Sequence, residues 1–321
     1  MSETAVVSGR TAWRDRLGTR AQAANPAVDL RRALQLGLAG CWLLDAILQY
    51  QAFMFGKAFG RMLGAMSVGN PGVIARPIGW NATLVAHHAV LLNSIFATIQ
   101  LLIGLGIACR PAVRVALAAS IAWALGVWWF GEGLGMVLTG SASPVNGAPG
   151  AVILYALLAV LLWPRDRSGA PAPFPAAPFT AARAIGAPAA RALWLVLWLS
   201  LAYFALLPGN RAPQALHDSI ASMASGEPHW LAGLDRAAAS LVANHGLSAS
   251  IVLAVALAVI AAGVYLPRPA AMAALVLGIA VAVVIWVVGE ALGAILAGGA
   301  TDPNSGPLLI LLALAYWPTT R

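Results

Sequence analysis

Two short runs each set one carboxylate into otherwise apolar sequence. WWFGEGLG at 128–135 carries Glu132, and WVVGEALG at 286–293 carries Glu290. An acid in such a setting is costly unless it is protonated, partnered or wetted, so it is a candidate for proton carriage or for holding a polar group. The offset of 158 that relates the two glutamates also relates Asn146 to Asn304 and Pro149 to Pro307. At 157, VAHH (85–88) meets VANH (242–245), which adds His88 and His245. An imidazole beside a carboxylate can pass a proton or join a metal shell, although two ligands per copy is thin for a metal. Trp128, Trp129 and Trp286 lie about one helical turn before the glutamates and can line a pocket or form an interface belt. One acid has no counterpart. Asp45, in CWLLDAILQYQ, falls about 20 Å along a helix counted from Arg32, and the second copy has an apolar residue there. Gln49, Tyr50 and Gln51 are its candidate partners.

A competing reading uses the same residues. GEGLG and GEALG are both G-x-x-x-G, the small-residue pattern that lets helices approach closely. On that reading each glutamate hydrogen-bonds a neighbouring helix end. The chain carries no C-x-x-C-H, P-loop or H-E-x-x-H motif, so no catalytic nucleophile can be named and no metal site is expected. Cys41 and Cys109 lie far apart in separate apolar runs, which gives dithiol chemistry little support.

These residues must be positioned by membrane-spanning helices. Of all residues 60% are hydrophobic and 9% charged, against about a quarter charged in soluble domains. A span needs roughly 20 apolar residues. Apolar runs fall at about 33–55, 83–108, 112–138, 149–164, 192–208, 247–266, 270–297 and 306–318. The expectation is therefore an all-α polytopic membrane protein of about eight transmembrane helices, arranged as two parallel four-helix repeats. Residues 1–30 read as a polar tail without the apolar stretch of a signal peptide. Residues 31–164 form the first repeat, 165–190 a Pro/Ala-rich linker, and 191–321 the second repeat. The third and seventh runs are too long for a bilayer and the fourth and eighth too short. The chain is expected to break near Gly131 and Gly289 and re-enter. Segments 56–82 and 209–246 read as amphipathic caps.

The net charge of +8 is nearly all arginine. Arg10, Arg14, Arg16, Arg20, Arg31 and Arg32 precede the first span, and Arg110, Arg114 and Arg268 fall in the loops on that same side. The positive-inside rule then puts both termini in the cytoplasm and the polar triplets toward the outer leaflet. No basic groove with interleaved aromatics suggests nucleic acid.

Three stretches carry a family resemblance: LRRALQLGLAGCWLLDAILQ, then FATIQLLIGLGIACRPAVRVALAASIAWALGVWWFGEGLG, then GAPGAVILYALLAVLLWP. The first half resembles the DoxX-like family of four-helix bacterial membrane proteins, and the second half looks like a diverged copy. The resemblance implies a bacterial inner-membrane location and a membrane subunit or scaffold of a quinone-linked redox system. It raises quinone as a cofactor and a redox protein as a partner, with homo- or hetero-oligomers as the assembly. The chain lacks a cysteine pair, so the resemblance assigns no catalytic residue. Two alternatives stand beside it: a transporter or carrier of small molecules or lipids, and an interaction protein that docks an extracytoplasmic partner through its caps.

Overall fold

The computed structural model describes residues 26–165 and 177–319. Its regular structure is helical, with no β-strand among the described residues beyond an isolated bridge between Phe179 and Pro318. We number the helices α1 (Pro26–Leu48), α2 (Lys57–Ala65), α3 (Gly72–His87), α4 (Ala89–Ala108), α5 (Val113–Phe130), α6 (Ala151–Leu161), α7 (Thr180–Ile185), α8 (Ala187–Ala205), α9 (Ala215–Met223), α10 (His229–Val242), α11 (Gly246–Gly263), α12 (Arg268–Val284) and α13 (Ser305–Ala315).

Five helical stretches are long and apolar enough to cross a membrane: α4, α5, α8, α11, and α12 extended to Gly289. The chain is therefore a helical membrane protein. Many large apolar side chains on these helices face outward, among them Leu102, Val115, Val196, Val252 and Val284. In water such a surface would be unfavourable. Against lipid tails it carries no penalty. Helices α6 and α13 are apolar but only 11 residues long.

The first half packs α1 on α4, α4 on α5 and α5 on α6. The second half packs α8 on α11, α11 on α12 and α12 on α13. The halves meet through the short helices, where α13 lies against both α6 and α1. Small residues permit the approach: the Cα of Gly37 on α1 faces the Leu311 side chain of α13. Buried aromatics fill the core, with Trp42 against Tyr155 at 4.4 Å between centroids and Trp194 against Tyr316 at 4.6 Å. At one end of the bundle α2 and α3 cover the first half, while α9 and α10 pair as a second cap.

Two expected boundaries change. The tail ends earlier, since α1 already begins at Pro26; residues 1–25 lie outside the described residues. The linker 165–190 is not all connection. Residues 166–176 lie outside the described residues, but Thr180–Ile185 form α7, whose Thr180, Ala181, Ala182 and Ala184 are buried. Four of its six residues are Ala or Ile, so the segment forms a helix and has an apolar face to bury.

Candidate functional site

The break expected near Gly131 and Gly289 is present, and its cause is local. Helix α5 ends at Phe130, and α12 passes through a π-helical turn that ends at Gly289. In both places the backbone N–H of the glutamate skips one residue: Glu132 donates to Val127 O at 3.0 Å, and Glu290 to Ile285 O at 2.9 Å. Such a widened turn loosens the helix end. The chain then reverses through left-handed backbone at Leu134, Gly135 and Met136 in one half and at Ala291, Leu292, Gly293 and Ala294 in the other. Glycine is required at one of these positions. A Cβ on Gly135 would lie 1.9 Å from Pro149 O. Of the two glycines in G-x-x-x-G, this one therefore serves close backbone approach.

Each glutamate then caps the next helix. Glu290 Oε1 accepts from the Ser305 N–H at 3.3 Å and from the Ser305 hydroxyl, and Oε2 accepts from the Gly306 N–H at 3.2 Å. Glu132 Oε1 accepts from the Val152 N–H at 3.2 Å. A carboxylate at a helix N-terminus satisfies orphan donors and meets the positive end of the helix dipole. Trp128 and Trp286 clamp the same turns, donating to Pro149 O at 2.7 Å and Pro303 O at 2.8 Å. These tryptophans therefore hold the loop, and neither lines the two cavities described below. Trp129 is 42% exposed and stacks on Phe130.

The loop pairing corrects the register. Through the glutamates the offset is 158, but Pro149 matches Pro303 and Val152 matches Gly306, an offset of 154. The second half omits four loop residues, and Asn146 has no structural equivalence to Asn304. Asn304 is the N-cap of α13 and accepts from the Ser305 N–H at 2.8 Å. Asn146 instead accepts from the Ser219 hydroxyl of α9, across the boundary between halves. The signal for this register was present in Trp163-Pro164 and Trp317-Pro318, which match at 154.

The histidines do not join the acids. His88 and His245 are exposed N-cap residues of α4 and α11. His245 Nδ1 sits 2.7 Å from Ala243 O. Neither shares a hydrogen bond with a glutamate or lines a cavity around one. An imidazole at the start of a helix that packs elsewhere has no reach toward the loop that carries the acid.

What gathers around Glu132 is different. Asp45 is 2% exposed, and its Oδ1 accepts from the Tyr155 hydroxyl at 2.9 Å. Its partner is thus a tyrosine of α6, and the neighbouring Gln51 turns instead toward Leu48 O and Ala300 O. The loop before α13 reaches into the first half and brings Asp302 to the same cavity as Asp45 and Glu132. Together with Gln49, Gln100 and Trp123 these acids face a cavity of about 540 Å³ between α1, α2, α3, α4 and α5. Its walls are Phe59, Met62, Leu63, Leu84, Phe96, Val127 and Phe130. Trp80, which is 65% exposed, also lines it, so the cavity reaches the surface. Four buried polar atoms of the lining lack a hydrogen-bond partner: Gln49 Oε1, Gln100 Oε1, Glu132 Oε2 and Trp123 Nε1. Native interiors seldom leave such groups unpaired without a ligand or water to meet them. A second cavity of about 480 Å³ lies between the two loops and shares Met66, Glu132, Thr301 and Asp302 with the first.

Gln100 and Trp123 escaped the sequence reading. Gln100 had a signal: it follows Asn93 by seven residues, two helical turns, so both polar groups lie on one face of an apolar helix. Asp302 had none, because it reaches the first half only through tertiary structure. Among the described residues no group of three or more His, Cys, Asp or Glu side chains gathers to hold a metal ion. Comparison with protein-family models, with curated proteins and with solved structures returns no match to this chain.

Proposed function

We propose that this protein is a multi-pass plasma-membrane protein that holds one lipid-soluble small molecule in its first half. The observation that carries this reading is the cavity of about 540 Å³ with apolar walls and unpartnered polar atoms at its floor. Concave, mostly apolar sites with a few convergent polar groups are the usual form of small-molecule pockets. The proposal includes eight spans in two parallel four-helix repeats, with α6 and α13 as short spans seated behind the re-entrant loops. It also places both termini in the cytoplasm, on the basic-residue bias, so the cavity opens to the outer leaflet between α3 and α5.

Within this reading the first half is the binding unit and the second half braces it, since the loop of 295–304 supplies Asp302. A carrier or a binding subunit of a larger assembly both use such a site. A quinone-linked role in the DoxX-like manner is the second reading. What favours it is the set of flat aromatic walls, Phe59, Phe96, Trp123 and Phe130, which suit a planar ring.

Extraction of small molecules from natively purified protein, read by mass spectrometry, tests the proposal. One amphiphile per chain is expected. A Cβ on Gly126 meets nothing within 4 Å although the residue lines the cavity. Gly126→Leu therefore fills the space without strain and should release the molecule. Retention of the same molecule in Gly126→Leu, or an empty parent protein, would end the reading.

A further inference from the structure

We infer that the first-half cavity is a site for a lipophilic organic cation, an ammonium or phosphonium centre carried on an apolar body. The inference rests on the preceding reading that this cavity holds a small molecule, and it names the class.

The charge inventory decides the head group. Three carboxyls line the cavity, from three separate segments: Asp45 on α1, Glu132 after α5 and Asp302 in the loop before α13. No Lys, Arg or His is among the lining residues. Phosphate, sulfate or carboxylate heads would meet three carboxyls and no compensating cation in a poorly hydrated space, which leaves their charge unpaired. That removes phospholipids and fatty acids from the candidates. Three of the four unpartnered atoms point the same way; the fourth, Trp123 Nε1, is a donor. Gln49 Oε1, Gln100 Oε1 and Glu132 Oε2 are all acceptors, and Gln49 and Gln100 are 3% and 8% exposed. An occupant that presents positive charge or N–H groups complements these acceptors once the lining side chains turn toward it.

The walls complete the argument. Phe59, Phe96, Trp123, Phe130 and Trp80 line the same cavity as the acids. Aromatic faces attract a cation once it has shed its water, and cages of this kind recognise quaternary ammonium groups. One carboxyl of the three, ionised when the cation binds, supplies the counter-charge that makes its burial affordable. A neutral quinone carries only acceptors at its ring; it would meet Trp123 Nε1 but leave the three acceptor atoms unmet.

The test uses the full chain in uncharged maltoside micelles, titrated with tetraphenylphosphonium. Binding is read by equilibrium dialysis and by quenching of tryptophan fluorescence. Saturable binding at one per chain is expected, with triphenylphosphine oxide, the neutral probe, at least tenfold weaker. Asp45→Asn keeps an acceptor for Tyr155 and should weaken the cation at least tenfold; Glu132→Gln, its thermal unfolding checked, should do the same. Asp218→Asn on α9 should change nothing. Equal binding of the neutral probe, or indifference to both acid variants, overturns the inference. If menadione binds in a Gly126→Leu-sensitive way while the phosphonium does not, the cation class falls and the cavity reading survives. If no probe is sensitive to Gly126→Leu, both fall.

Discussion

The two halves solve one backbone problem identically and then diverge. In each, a long helix ends in a widened turn, the chain reverses through left-handed residues, and a glutamate caps the short helix that follows. Yet Glu290 uses both carboxyl oxygens on α13, whereas Glu132 caps with one and leaves the other buried beside Gly150 without a hydrogen-bond partner. The floor residues differ in the same sense. At the offsets that relate the halves, Asp45, Gln100 and Trp123 stand opposite Phe204, Leu257 and Val281. Phe204 and Leu257 are buried core. The capping acid is thus structural equipment common to both halves. The polar floor belongs to the first alone, which is where a binding role has to be sought.

The comparison breaks most visibly at its shared part. Gly135→Ala puts a Cβ into Pro149 O and demands φ of +62° from an alanine. We expect a loss of about 3 kcal/mol or more, seen as failure to recover monodisperse protein from the membrane. Normal recovery of Gly135→Ala would mean that the loop does not approach so closely.

The capping glutamates come next. Glu290→Gln keeps the shape but loses a charge that accepts three hydrogen bonds, two of them from a helix N-terminus. A loss of about 2–3 kcal/mol is expected in thermal or denaturant unfolding. Glu132→Gln, with one such bond, should cost about 1 kcal/mol and act chiefly on ligand retention. The reverse ranking would remove the assignment of structure to one glutamate and binding to the other.

This division was only half legible in the sequence. Composition and apolar run lengths gave the helices, and the repeated GEGLG and GEALG gave the breaks, because both follow from local chemistry. The helix-end reading of the glutamates was legible and holds in both halves, but the difference between them was not. The loops that follow the glutamates differ by four residues, which shifts the register from 158 to 154. His88 and His245 misled for a related reason: equivalent places in two copies do not bring a residue near another pair of equivalent places. Asp302 was invisible because its partners lie more than 150 residues away.

Gln100→Leu sharpens the comparison by giving the first half the residue that the second half has. It removes an unpartnered buried oxygen, so stability should rise by about 1 kcal/mol in unfolding measurements. Retention of the bound molecule should fall about tenfold, the usual exchange between stability and function at a site. A variant that loses both would show that Gln100 serves packing only.

The second half has an unpartnered acid of its own, outside the spans. Asp235 on α10 is fully buried and neither oxygen has a hydrogen-bond partner. Burial pushes its carboxyl above the usual range, with Arg236 opposing. Burial and then the neighbouring Asp235 raise Glu227 as well. The folded state therefore holds these protons more tightly than the unfolded chain. Their contribution to stability is full below the ordinary carboxylate range and is lost as pH rises through the raised values. Asp235→Asn should be more stable than the parent near neutral pH, by about 1 kcal/mol, and the gap should close toward about pH 4. A gap that widens on acidification would mean that the carboxylate is stabilising after all.

The smallest effect is expected at the histidines, and it decides the membership of the site. Both cap helices from exposed positions, where a positive charge would oppose the helix dipole and a neutral ring adds little. His88→Asn and His245→Asn place a better N-cap residue at each helix start. Stability should move by no more than about 0.5 kcal/mol in either, and retention of the bound molecule should not change. The double variant carries the weight, since it removes every imidazole that the sequence pairs with the glutamates. If it empties the cavity, the imidazoles reach the acids by some route that the packing of α4 and α11 does not provide. If the cavity stays filled, duplication of the histidines reflects the shared start of α4 and α11, and the chemistry of the first half lies with Asp45, Gln100, Glu132 and Asp302.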